Sequence, residues 1–104
     1  MNTPLSISVA ATIDIQPEHR VTVIQALLAA VVATRREDGC EHYALHQDVD
    51  HPDRVMMLER WRDEASLDAH AQGTAFRTLT HAIDGKATLD VIRLHAFPEP
   101  APAA

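Results

Sequence analysis

The sequence holds one cysteine, Cys40, and one lysine, Lys86. A single thiol forms no internal disulfide, and a zinc site built on paired cysteines cannot be assembled from it. A reducing compartment suits such a chain. Basic residues are scarce overall: nine Lys and Arg face fifteen Asp and Glu, for a net charge of −6. That balance leaves no electrostatic footprint for nucleic acid or for an anionic membrane surface. Long apolar runs are also missing. The longest apolar stretch without a charge, Val21 to Thr34, is shorter than the roughly 20 residues a membrane span needs. The first residues, Met1-Asn2-Thr3-Pro4, show no basic segment leading into an apolar core, so no signal peptide is read there. Together these absences point to a soluble, cytoplasmic protein.

What remains is an ordinary globular mixture. Of 104 residues, 46% are hydrophobic and 23% charged, which argues against a disordered chain. Surface scaling lets a chain of this mass bury about 65% of its unfolded surface, enough for one modest core and not for two. Seven histidines stand out. The seventeen alanines and the preference for Arg over Lys are read as a genome bias and are given no role.

Along the chain, Leu5 to Ile13 alternates. Leu5, Ile7, Val9, Ala11 and Ile13 point one way, which reads as a strand. Pro17 and Glu18 suit a first helical turn. Val21, Ile24, Leu28 and Val31, joined by Leu27 and Val32, recur at helical spacing and predict a helix to about Glu37, ended by Gly39. Cys40 to Asp48 predicts a second strand with Tyr43 and Leu45 on one face. The polar segment 48–53 is turn chemistry. Arg54 to Arg62 predicts a third strand with Val55, Met57, Glu59 and Trp61 on one side. Asp63 is a good N-cap for a short helix through Ala71. Gly73 interrupts it, and Thr74 caps a continuation with Phe76, Leu79 and Ile83 as its stripe. Lys86 to Phe97 predicts the last strand. The domain is thus expected over residues 1–97, followed by a Pro/Ala-rich flexible tail at 98–104.

The order β-α-β-β-α-β is the ferredoxin-like arrangement, an α+β fold with a four-stranded antiparallel sheet and helices on one face. The other face of such a sheet is wet in a monomer. Here it does not read as polar: the last strand has Leu89 and Val91 on one side and Ile92 and Leu94 on the other. A sheet apolar on both faces needs a second cover, most simply another copy in a two-fold homodimer.

The middle of the chain carries Glu37-x-Gly39-Cys40-x-x-Tyr43-x-Leu45, then Glu59-x-Trp61, then Ala65-x-Leu67-x-x-His70, then Thr74-x-Phe76. Each piece is weak alone. In this order, on this strand and helix pattern, the set resembles the antibiotic biosynthesis monooxygenase family, which includes small quinol monooxygenases. The resemblance implies a dimeric α/β barrel with two sheets facing each other. It departs from many relatives at Ala75, where they place a second histidine. Members of that family act as cofactor-independent oxygenases, haem-degrading enzymes or isomerases, so fold alone does not fix the reaction.

His70 leads the candidates for chemistry. It lies three residues after Leu67, on the same side of the short helix, and a free imidazole titrates close to neutral pH, which suits a general acid or base. The bland alternative is a histidine bonded to a backbone carbonyl at the helix end. Glu59 and Trp61 share one strand face. Trp61 can wall a pocket or simply fill the core; Glu59 can accept from a substrate hydroxyl, orient His70, or pair with Arg77 or Arg93. Tyr43 and Phe76 can line the same pocket, with core packing as the alternative. No metal site is expected. His42 and His46, four apart on a strand, lie about 13 Å from each other, too far to share an ion. Haem ligation by His70 stands only as an analogy.

The resemblance implies, as the first hypothesis, a cofactor-independent monooxygenase, with a phenolic, quinol or polyketide-like aromatic substrate and molecular oxygen as partners. His70 and Glu59 would be catalytic and Trp61, Tyr43 and Phe76 substrate-binding. Two alternatives stay open: a non-oxidative isomerase of a small hydroxyketone, and a non-catalytic ligand-binding dimer module.

Overall fold

The computed structural model describes residues 5–102; the ends of the expected domain and tail, residues 1–4 and 103–104, lie outside them. The elements run β1 (Ile7–Ile15), a 3₁₀ turn (Pro17–His19), α1 (Arg20–Thr34), β2 (Cys40–Gln47), β3 (Arg54–Trp61), α2 (Glu64–Ala71), α3 (Thr74–Ile83) and β4 (Ala87–Leu94). The strands form one sheet in the order β2-β3-β1-β4, with every neighbouring pair antiparallel. This is the expected α+β ferredoxin-like fold. Among the described residues, no helix is long and apolar enough to cross a membrane.

Alternation decides which face the helices cover. Ile7, Val9, Ala11, Ile13 and Ile15 of β1 are buried, as are Val55, Met57, Glu59 and Trp61 of β3. The register sets Tyr43, Glu59, Val9 and Arg93 in one row across this face, one residue from each strand. Val23 and Leu27 of α1, Leu67 of α2, and Leu79 and Ile83 of α3 close the core from above. On the opposite face Leu58, Ile92 and Leu94 remain exposed beside the half-buried Ala10, Ala44 and Met56.

Several boundaries and one phase differ from the sequence reading. Strand β1 starts at Ile7, and Leu5 lies outside it and exposed. Pro17 opens a 3₁₀ turn, so α1 begins only at Arg20 and ends at Thr34, short of Glu37. The buried stripe of α1 is Val23, Leu27, Ala30, Val31 and Thr34, while Val21, Leu28 and Val32 are exposed. Apolar residues occupy nearly every side of this helix, so spacing alone does not set its rotation; packing on the sheet does. Asp63 caps α2 as expected, its side chain accepting from the Ser66 N–H at 2.8 Å. Gly73, not Thr74, is the N-cap of α3, and Thr74 is that helix's first residue. Strand β4 stops at Leu94, and residues 95–102 lie outside the regular elements.

Candidate active site

His70 stands in the last turn of α2 with its side chain almost wholly buried. Three rings surround it: Trp61 at 4.7 Å between centroids, Phe76 at 5.5 Å, and Tyr43 edge-on at 5.7 Å. Four elements therefore meet at one imidazole, since β2 supplies Tyr43, β3 Trp61, α2 His70 and α3 Phe76. The bond that orients the ring comes from outside the expected set. Nδ1 lies 2.8 Å from Oε1 of Glu37, in the connection between α1 and β2. The other nitrogen, Nε2, makes no hydrogen bond among the described residues.

The connection is shaped to deliver Glu37. Its N–H donates to the Thr34 carbonyl at 2.9 Å, and its own carbonyl accepts from the Cys40 N–H at 3.2 Å. Gly39 then takes a positive φ of 85°, where side chains are disfavoured. A Cβ there would collide with the Ser66 side chain on α2, so only glycine lets the turn lie this close to the helix. Arg62 ties the turn down from below: its N–H donates to the Gly39 carbonyl at 2.8 Å, and its guanidinium spans both Asp38 oxygens at 3.2 and 3.1 Å.

Glu59 and Trp61 act together and behind the imidazole. The indole Nε1–H donates to Oε1 of Glu59 at 2.9 Å. Burial pushes the Glu59 carboxyl above its usual range; the Trp61 N–H and the nearby His70 oppose that, while Glu37 adds to it. The Tyr43 phenol is pushed up by burial and then by Glu59, so it stays protonated and can donate. The Thr34 hydroxyl lies beside that phenol without hydrogen-bond geometry and has no other partner among the described residues.

Two hollows adjoin His70. The inner one, about 80 Å³, lies between the sheet and the helices; Tyr43, Glu59, Leu67, His70, Phe76 and Leu79 are among its walls. It reaches β4 at Leu89, Val91 and Arg93, where Val91 and Arg93 are exposed, which places its mouth there. Arg93 spans that edge, with Nη2 at 3.1 Å from Asp68 and Nη1 at 3.8 Å from Glu64 of α2. The outer one is a groove of about 940 Å³ between α1 and the α2–α3 pair. Eight alanines line it, together with Glu37 and His70.

Residues 6–82 match the antibiotic biosynthesis monooxygenase family. The chain belongs to that family. It is 32% identical over 87 residues to "Putative monooxygenase YcnE" of Bacillus subtilis, covering 80% of this chain and 90% of that protein. Against "Probable quinol monooxygenase YgiN" of Escherichia coli K12 the figures are 29% over 89 residues, 76% of this chain and 86% of that one. The crystal structure of PA3566 from Pseudomonas aeruginosa superposes with a TM-score of 0.86 at 27% identity, covering 94% of this chain and all of that one. These relationships support a general monooxygenase role, and with it a small-molecule substrate and oxygen.

Of the five residues singled out from the sequence, His70, Glu59, Tyr43 and Phe76 line the inner hollow. Trp61 does not line it; fully buried, it stacks behind His70 and holds Glu59. Glu59 pairs with neither Arg77 nor Arg93, because the indole N–H takes its oxygen and Arg93 is drawn to Asp68 and Glu64. Nor does Glu59 orient His70; Glu37 does, through a side chain rather than a backbone carbonyl. Glu37 stood in the motif without a role. The signal that could have found it is its place two residues before Gly39, the glycine of the turn that leads into β2. Among the described residues no three His, Cys, Asp or Glu side chains converge as metal ligands.

Proposed function

We propose that this protein is a cofactor-independent monooxygenase of a one-ring phenol or quinol. The observation that carries the reading is His70, its Nε2 without a hydrogen bond among the described residues, in the lining of a small, mostly apolar hollow that also holds Glu59 and the protonated Tyr43 phenol. Nε2 takes the phenolic proton. Exclusion of water keeps the resulting anion electron-rich, and oxygen adds to the activated ring carbon. One oxygen atom stays on the ring as a carbonyl and the other leaves as water. That water collects the phenolic proton and the displaced ring hydrogen, so the substrate itself supplies the electrons. The Tyr43 O–H is a donor for the developing oxyanion. Glu59 accepts from a second substrate hydroxyl, and Phe76 packs on the ring. A hollow of about 80 Å³ favours a single ring over a fused polyketide.

The exposed Leu58, Ile92 and Leu94 on the uncovered sheet face support a two-fold homodimer that joins two such faces. Sedimentation velocity on Ile92→Asp is expected to show a monomer where the parent chain is a dimer; a parent chain that sediments as a monomer discards the pairing. For the reaction, a panel of one-ring quinols is incubated with and without oxygen, following oxygen uptake and product. Turnover is expected only aerobically, with one labelled oxygen atom from O₂ in the product. Equal turnover without oxygen makes the protein an isomerase instead.

A further inference from the structure

We propose that Glu37 is the positioning residue of a carboxylate–imidazole pair and that the outer alanine-lined groove is its solvent side. The proposal rests on the monooxygenase reading for its kinetic consequences, and on geometry alone for the pair itself. A carboxylate oxygen accepts, so the 2.8 Å contact fixes the ring proton on Nδ1 and leaves the lone pair on Nε2. Glu59 does not take this place: its hydrogen bond is from the Trp61 N–H, and the Nδ1 contact is Glu37's.

Topology separates the two ends of the pair. His70 lines both hollows, whereas Glu37 lines only the outer groove, and its side chain is about one-quarter exposed. The imidazole is thus a partition with substrate on one side and a solvent-reachable carboxylate on the other. When Nε2 takes the phenolic proton, the positive charge forms against Glu37; it disappears when the same proton passes to the departing oxygen as water. Stabilisation realised only in that charged state raises kcat without tightening substrate binding. The investment around the turn agrees. The positive φ of Gly39, its close approach to Ser66 and the Arg62–Asp38 clamp all fix the position of one carboxylate.

The width of the groove supplies the test. In Glu37→Ala, a formate ion can enter from the groove and occupy the vacated position. Two measurements are made on the full chain: quinol turnover with and without formate, and the ¹⁵N resonances of His70. Circular dichroism checks folding, and Glu37→Gln, of nearly identical shape, serves if the alanine variant is unfolded. The alanine variant is expected to lose about 100-fold in kcat with KM unchanged. Formate should restore at least about 10-fold of this, and should do nothing for the parent chain or for His70→Ala. The His70 resonances should leave the Nδ1–H pattern in Glu37→Ala and return with formate, and should shift in Glu37→Gln as the acceptor loses its charge. A folded variant with parental kcat, or unchanged His70 resonances, overturns the proposal, as does formate that restores neither. If no quinol is turned over by the parent chain, the monooxygenase reading fails while the resonances still decide the pair.

Discussion

The two hollows beside His70 differ by more than tenfold in volume, and the proposed chemistry belongs to the smaller one. The inner hollow is walled by large side chains, Leu27, Met57, Phe76, Leu79 and Leu89 among them, with Glu59, His70 and Tyr43 set into the wall. The outer groove is wide because its walls are alanines, whose short side chains leave the space between helices unfilled. Enclosure is what separates them. A polar group in a dry wall interacts strongly with a ligand, because little water competes for it. Volume alone marks where side chains are short. What the groove contributes is access to Glu37, the one feature of the site that faces away from the inner hollow.

The sharpest way to break the contrast is His70→Ala, which removes the one titratable group that lines both hollows. It is expected to lower kcat/KM on a quinol by a factor of about 10² to 10⁴, with the fold retained by circular dichroism. Gly39→Ala comes next. An alanine at φ 85° that also meets Ser66 should destabilise the chain by about 1–3 kcal/mol in urea unfolding and, by displacing Glu37, lower kcat by about 10-fold. A smaller, pH-dependent effect is expected at Glu59. Burial raises its pKa in the folded chain, so folded protein holds that proton more tightly than unfolded protein does. Stability from this residue is therefore full below the unfolded pKa and falls as pH rises through the folded one. Glu59→Gln removes the fall. Its Tm relative to the parent chain should be more favourable at about pH 7 than at about pH 4. The smallest effect belongs to the groove. Ala29→Leu, at an exposed position on α1, should leave KM unchanged and stability within about 0.5 kcal/mol. A large rise in KM would move the substrate to the groove and undo the assignment of the two hollows.

Much of this was legible in the sequence because strands report their faces. Period-two alternation in Ile7–Ile13 and Val55–Trp61 sorted the residues into the two faces that the structure shows, with Glu59 beside Met57 and Trp61; which of the two the helices cover came from the structure. The ordered motif then brought His70, Tyr43 and Phe76 to one place. Helix α1 was less legible: with valines and leucines on nearly all sides, its apolar pattern has no preferred direction until the sheet supplies one. For a related reason the sequence left Trp61 open between pocket wall and core filling. Its face was right, yet whether a buried indole lines a hollow or backs it depends on where the α2 histidine falls, a distance no spacing encodes. Glu37 was hidden further still. It lies 33 residues from its partner, and only a close approach of the turn to α2 joins them.

Strand β4 forms one edge of the sheet, and its chain continues into Phe97-Pro98-Glu99-Pro100-Ala101-Pro102. In an extended chain, alternate residues aim their N–H groups toward the same side. Prolines at 98, 100 and 102 therefore erase three successive donors along one border of any continuation of β4 past Ala96. On that border an incoming strand could lengthen its pairing past Ala96 only by facing a row of carbonyls with nothing to receive from. The sequence thus guards the ladder against growing along that border, an unobtrusive brake on fibrous self-association at the end of an otherwise open edge.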